Sequence, residues 1–180
     1  MENVEPTVAK AAFCEPTIIL PEAAWRGVLI ETAIEVFSMM VGGAAVTPPN
    51  DANPPIIAEV TGIVGIAGAL RAIFSLRCSS RSATQIASRM LGAAPEEAVK
   101  LQSDAIGEVC NIVAGYFKAK IGLGEKCSLS VPTVVVGHDY KVRSPILDEH
   151  GKLPLLYENE PIWIALEVKS KDKSIFNAPA

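Results

Sequence analysis

The stretch Asp104-Ala-Ile-Gly-Glu108-Val-Cys-Asn111-Ile-Val-Ala-Gly115 decides how this chain is read. It has the pattern of a long helix. At about 100° per residue, positions 104, 108, 111 and 115 fall within a narrow arc of one face. Ile106, Val109, Val113, Tyr116 and Phe117 take the opposite face, which is the side to bury. An acid, a second acid, a carboxamide and a glycine are therefore presented in line, away from a core. Gly107 and Gly115 lie on or beside that line. A glycine costs a helix roughly 1 kcal/mol relative to alanine, so the pair suggests a close approach to the helix backbone. A solvated face with glycines that permit tight packing accounts for the same pattern.

A chain of 180 residues has the length of one domain. Its hydrophobic fraction of 49% is ample for a core, and a net charge of -4 with no basic run argues against nucleic acid as a partner. The four cysteines, Cys14, Cys78, Cys110 and Cys127, form no C-x-x-C pair and read as ordinary buried thiols of a reducing compartment. His138 and His150 lack metal-ligand spacing, so no metal site is expected from them. Glu2, Glu5 and Lys10 leave no apolar core for a signal peptide. Gly and Pro-Pro interrupt the uncharged stretches before they reach about 18 apolar residues. The expectation is a soluble, cytoplasmic protein with no membrane insertion.

Around the central helix, residues 1–20 read as an irregular lead-in, 21–170 as a single domain and 171–180 as a tail. A helix is expected from Glu22 to Val41, with Ala24, Val28, Ile34, Val36, Phe37 and Met40 at helical spacing and Gly42-Gly43 ending it. Thr47 to Pro55 is a proline-rich loop. Ile56–Val64 and Ala67–Cys78 read as a hairpin turning around Gly65 and Gly68. Ser82–Leu91 is a short helix. Pro95-Glu96-Glu97 has the chemistry of a helix start and is expected to open the long helix, which lasts to about Ile121. Ser128–Val136 is extended, and Leu153–Glu158 with Pro161–Lys169 forms a hairpin around Glu158-Asn-Glu-Pro161. Strands are not interleaved singly with helices. The fold class is therefore α+β, with two long amphipathic helices packed on a mostly antiparallel β-sheet.

The two long helices carry a weak internal pseudo-repeat. Ile34-Glu35-Val36-Phe37-Ser38 echoes Gly107-Glu108-Val109-Cys110-Asn111. Glu31 precedes Glu35 as Asp104 precedes Glu108, and Gly42 follows Ser38 as Gly115 follows Asn111. The first copy has a hydroxyl where the second has a carboxamide, which reaches further and offers donor and acceptor in one plane. If the repeat carries chemistry, Glu35 and Ser38 are a degenerate second site and only the second copy is competent.

These residues resemble the CheC/CheX/FliY family of chemotaxis phosphatases. The family pattern is Asp or Ser, three residues, Glu, two residues, Asn, about twenty-one residues, and Pro. Asp104, Glu108 and Asn111 match in type and spacing, and Pro132 follows Asn111 after twenty residues, one fewer than the pattern. CheC-like members carry two E-x-x-N sites and CheX-like members one, so this chain looks most like CheX. The resemblance covers about Glu22 to Lys169.

The resemblance implies a phosphatase acting on the phospho-aspartate of a CheY-like response-regulator receiver. Glu108 would pair with a lysine of the receiver, and Asn111 would orient the attacking water. Asp104 and Pro132 would support them. Mg²⁺ would belong to the receiver, with no cofactor bound by this chain, and a homodimer paired through strands is implied. Two other readings stay open on the residues alone: a non-catalytic receiver-binding adaptor or flagellar-switch-like domain, and a structural domain with an accidental motif. An Asn111 buried against the sheet would favour the adaptor.

Overall fold

The computed structural model describes residues 22–49, 54–138, 140, 142 and 152–168. The lead-in 1–20, the tail 171–180, Cys14, His150 and Lys169 lie outside the described residues.

The first helix, α1 (Glu22–Val36), widens into a π-helical turn over Phe37–Val41. Gly42, at φ 80°, ends it and donates its N–H to the Phe37 carbonyl at 3.0 Å. The buried stripe runs through Trp25, Leu29, Ala33, Val36 and Phe37. Ala24 and Met40, expected on the apolar side, are exposed instead. The wider turn takes more residues per revolution, which rotates Ser38, Met39 and Met40 to solvent.

Among the described residues seven strands form one sheet: β1 (Ala45–Val46), β2 (Val60–Gly68), β3 (Ala72–Cys78), β4 (Cys127–Leu129), β5 (Thr133–Val136), β6 (Lys152–Tyr157) and β7 (Glu160–Val168). Their order is β1-β6-β7-β3-β2, with β4 and β5 both on the far side of β2, and every pairing is antiparallel. Alternate residues of the central strands are fully buried on one face: Phe74, Leu76 and Cys78 on β3, and Ile162 and Ile164 on β7. Three further helices lie among the described residues: α2 (Ser80–Leu91), the single turn α3 (Pro95–Ala98) and α4 (Gln102–Lys120). The α+β fold with helices on an antiparallel sheet is as expected.

Two boundaries and one burial differ from the sequence reading. The β2–β3 turn lies at Ala69-Leu70-Arg71, and Gly65 and Gly68 are inside β2. Those glycines serve neighbouring backbone. Gly65 exchanges bonds with Ser130, and a Cβ on Gly68 (φ 130°) would stand 2.2 Å from the Lys126 carbonyl oxygen. Pro95-Glu96-Glu97 opens only α3. The bonds Lys100 N–H to Glu97 O (2.9 Å) and Leu101 N–H to Ala98 O (3.1 Å) span three residues, tightening the chain and breaking the α ladder before α4 restarts it. Tyr116, placed on the buried side by periodicity, is 44% exposed. The β6–β7 hairpin is as read: Glu158 and Asn159 take φ 51° and 68°, the two positive values that a two-residue hairpin turn of this hand needs.

Candidate functional site

Helix α4 buries Ile106, Val109, Cys110, Val113, Ala114 and Phe117, and this arc fixes which face it turns outward. Gly62 in mid-β2 lets it sit close, since a Cβ there would fall 2.4 Å from Cys110 Sγ and 2.8 Å from Ile106 Cγ2. At the start of α4, the buried carboxamide of Gln102 donates to Thr84 Oγ1 (2.8 Å) and accepts from Ser80 Oγ (3.3 Å), tying the first turn to α2. Glu59 Oε2 in turn accepts from the Ser80 N–H at 2.7 Å, and its other oxygen faces His138 Nδ1 at 3.1 Å. A buried polar group left without a partner costs about 1–3 kcal/mol, so this network holds the helix end in one orientation. Sequence reading missed Gln102 and Gly62; a glycine inside a strand pattern was the available signal for the second.

On the outward face, Asp104 and Glu108 are exposed, while Asn111 and Gly115 are half-buried. Asn111 is thus at the surface stripe and not sealed against the sheet. Among the described residues, neither the Glu108 carboxylate nor the Asn111 carboxamide has a hydrogen-bond or ion-pair partner. Pro132, from the break between β4 and β5, comes against the same helix. Ser103, Asp104, Gly107, Glu108, Pro132 and Val134 line an open depression of about 430 Å³. The structure therefore brings Asp104, Glu108 and Pro132 together, with Asn111 next along the helix and outside the lining. Ser103 and Val134 were not singled out in the sequence. What approaches the helix at Gly107 and Gly115 is the chain's own β4–β5 segment, at Pro132, Val134 and Leu129.

The Glu35–Ser38 copy is arranged differently. Glu35 is paired with Lys120 Nζ from the last turn of α4, and Ser38 lies exposed in the π turn. Two arginines are also engaged, Arg81 with Glu160 and Arg89 with Glu158, each at 3.3 Å. Cys78, Cys110 and Cys127 are free and buried. Desolvation pushes the Cys78 thiol up to about 12, with the nearby Glu59 charge adding to it, and raises the Cys110 thiol further. No cluster of His, Cys, Asp and Glu among the described residues could hold a metal ion. No helix among them is long and apolar enough to cross a membrane.

Fold and site together define a helix-on-sheet domain that presents one acid-and-carboxamide line beside a proline. The family model described as chemotaxis phosphatase CheX matches residues 60–162. The CheY-P phosphatase CheX of Thermotoga maritima is 34% identical over 113 residues, covering 60% of this chain and 70% of that protein. The crystal structure of the chemotaxis protein CheX from Vibrio vulnificus shares the fold, with a TM-score of 0.67 and 21% identity over 84% of this chain and 100% of that one. So does the CheX of a CheX–CheY–BeF3–Mg²⁺ complex from Borrelia burgdorferi, with a TM-score of 0.63 and 18% identity over 81% of this chain and 98% of that one. The chain belongs to the CheX family.

Proposed function

We propose that this protein is a phosphatase for the phospho-aspartate of a CheY-like receiver, working from the outward face of α4. The observation that carries this reading is the pair Glu108 and Asn111, on the exposed side of a buried helix and without partners among the described residues. Membership of the CheX family and the name of the Thermotoga maritima relative support the substrate class. The Borrelia burgdorferi complex, which joins a CheX to a CheY with BeF3 and Mg²⁺, supports a receiver as partner and a metal on the receiver's side.

In this mechanism Glu108 pairs with a cationic side chain of the receiver and sets the register of docking. Asn111 then enters the receiver's site and holds a water in line with the phosphorus. A carboxamide is too weak a base to deprotonate that water, but an acyl phosphate is already activated, so positioning suffices. The phosphoryl group passes directly to water, and no covalent intermediate forms on this chain. Asp104 adds a second carboxylate to the depression, and Pro132 fixes the chain that forms its other wall. Glu35 and Ser38 take no part.

The same proposal places one domain over 21–170, acting in the cytoplasm on a two-component partner and binding no nucleic acid. It also takes the protein to be a homodimer paired along β6. There β1 covers only Leu156 and Tyr157, and the described residues leave the strand open from Lys152 to Leu155. Light scattering on the purified protein tests the dimer. The activity is tested by following decay of a phosphorylated CheY-type receiver in Mg²⁺, with and without this protein. Faster decay is expected; unchanged decay despite measurable binding would make the protein an adaptor.

A further inference from the structure

The polar line of α4 is bordered by exposed apolar side chains. On its helix side, Tyr116 continues the row Glu108–Ile112–Tyr116, in which each residue follows the last by four. It lies about 12 Å beyond Glu108 and about 7.5 Å beyond Asn111 along the axis. It is 44% exposed, and its hydroxyl has no hydrogen-bond partner among the described residues. On the strand side, Val131 is the chain neighbour of Pro132 and is 85% exposed. Its position is held by its surroundings: Ser130 Oγ donates to the Val131 carbonyl at 3.0 Å and accepts from the Gly65 N–H at 2.9 Å.

We infer that Tyr116 and Val131 are the apolar anchors of the docking face, gripping the receiver on either side of the Glu108–Asn111 line. The identity of the partner rests on the phosphatase reading above. A specific protein contact buries about 800 Å² on each partner, a patch of about 16 Å radius. Half that area still reaches about 11 Å. A rigid domain that brings an aspartyl phosphate to Asn111 therefore reaches Tyr116, and Val131 adjoins Pro132 at the wall of the depression.

The energetics point the same way. An exposed carboxylate–ammonium pair contributes little to affinity and does not hold two proteins together. Binding energy concentrates in a few desolvated anchors, and tyrosine is among the commonest. Apolar flanks also exclude water, which strengthens the Glu108 pairing inside them.

The test uses Tyr116→Ala, Tyr116→Phe and Val131→Ser in the full chain, each checked for an unchanged melting temperature. Two quantities are measured against one CheY-type receiver: Kd with beryllofluoride and Mg²⁺, and kcat and KM for decay of the phosphorylated form. Tyr116→Ala is expected to raise Kd and KM about tenfold or more. Val131→Ser should raise them about threefold, and Tyr116→Phe should behave as wild type. In all three, kcat at saturation stays within about twofold. Unchanged Kd in both truncations, with an active wild type, overturns the inference and leaves the phosphatase reading intact. Raised Kd with a wild type that binds but does not accelerate decay does the reverse. A loss confined to kcat also overturns it.

Discussion

Gly107 of α4 faces Pro132 of the β4–β5 break across the width of one methyl group: a Cβ built on Gly107 would stand 3.4 Å from Pro132 Cβ and 3.5 Å from Val134 Cγ2. Two segments far apart in sequence thus meet at the depression, with room for one methyl group between them. Alanine at 107 fits at ordinary contact distance and removes the conformational cost of glycine in a helix. Gly107→Ala should therefore stabilise the fold by up to about 1 kcal/mol, raising the melting temperature by a few degrees. A lower midpoint would mean that helix and strand pack more tightly in solution.

Gly62 carries the opposite sign. An added methyl there would overlap Cys110 Sγ at 2.4 Å and Ile106 Cγ2 at 2.8 Å. Overpacking of this kind costs about 1–3 kcal/mol, so Gly62→Ala should lower the urea midpoint clearly. Adding Cys110→Ala should return part of the loss, because it removes the nearer of the two overlaps. Strict additivity in that double variant would disprove the contact.

Asn111→Ala should reduce acceleration of receiver dephosphorylation by about 100-fold or more, on the scale set by misplacing a reacting group by 1 Å. The melting temperature should hold, since the carboxamide has no partner among the described residues. Glu108→Lys should instead raise Kd for the receiver while leaving the rate at saturation near wild type. Wild-type turnover in Asn111→Ala would refute water positioning.

Ser38→Asn restores the missing carboxamide to the first copy but should add no activity. Glu35 is already paired with Lys120, and the π turn displaces residue 38 from its α-helical position. The kcat/KM of Ser38→Asn should equal that of wild type within about twofold. A clear increase would show that the first copy is one substitution from working.

The buried thiols predict alkaline sensitivity. Burial raises the folded-state titration of Cys78 from the ordinary thiol value of 9.0 to about 12, and that of Cys110 further. Below about pH 9 both states keep these protons and nothing changes. Between about pH 9 and 12 the unfolded chain releases them and the folded chain does not, so stability falls as pH rises. Each thiol contributes about a tenfold fall in the folding constant per pH unit in that window. Urea midpoints from pH 8 to 10.5 should fall less steeply in Cys78→Ala; an identical slope would rule out a buried, protonated Cys78.

The α+β class was legible because helical and alternating patterns are long and separate in this chain, and Glu158-Asn159 marked its hairpin. The line of Asp104, Glu108 and Asn111 was legible because a helix converts spacing into a face. Tertiary packing decided the rest. Gly65 and Gly68 look like turn residues locally, yet they make room for β4 and Ser130, which lie some 60 positions away. Nothing local in Pro95–Leu101 marks the break before α4, which the tie from Gln102 to α2 supports. Tyr116 lies at the edge of the buried arc, two steps along the i+4 row from the exposed Glu108, so a simple division of the helix into two faces misplaces it. The engagement of Glu35 by Lys120 joins two helix ends that no window of sequence compares.

On the proposed reading, that engagement bears on the valency of the molecule. A duplicated unit with both copies open could hold two receivers at once. Here one copy has its carboxylate bound internally, so on the proposed reading each chain has a single berth and a dimer has two. Titration of a beryllofluoride-loaded receiver should then saturate at one per chain.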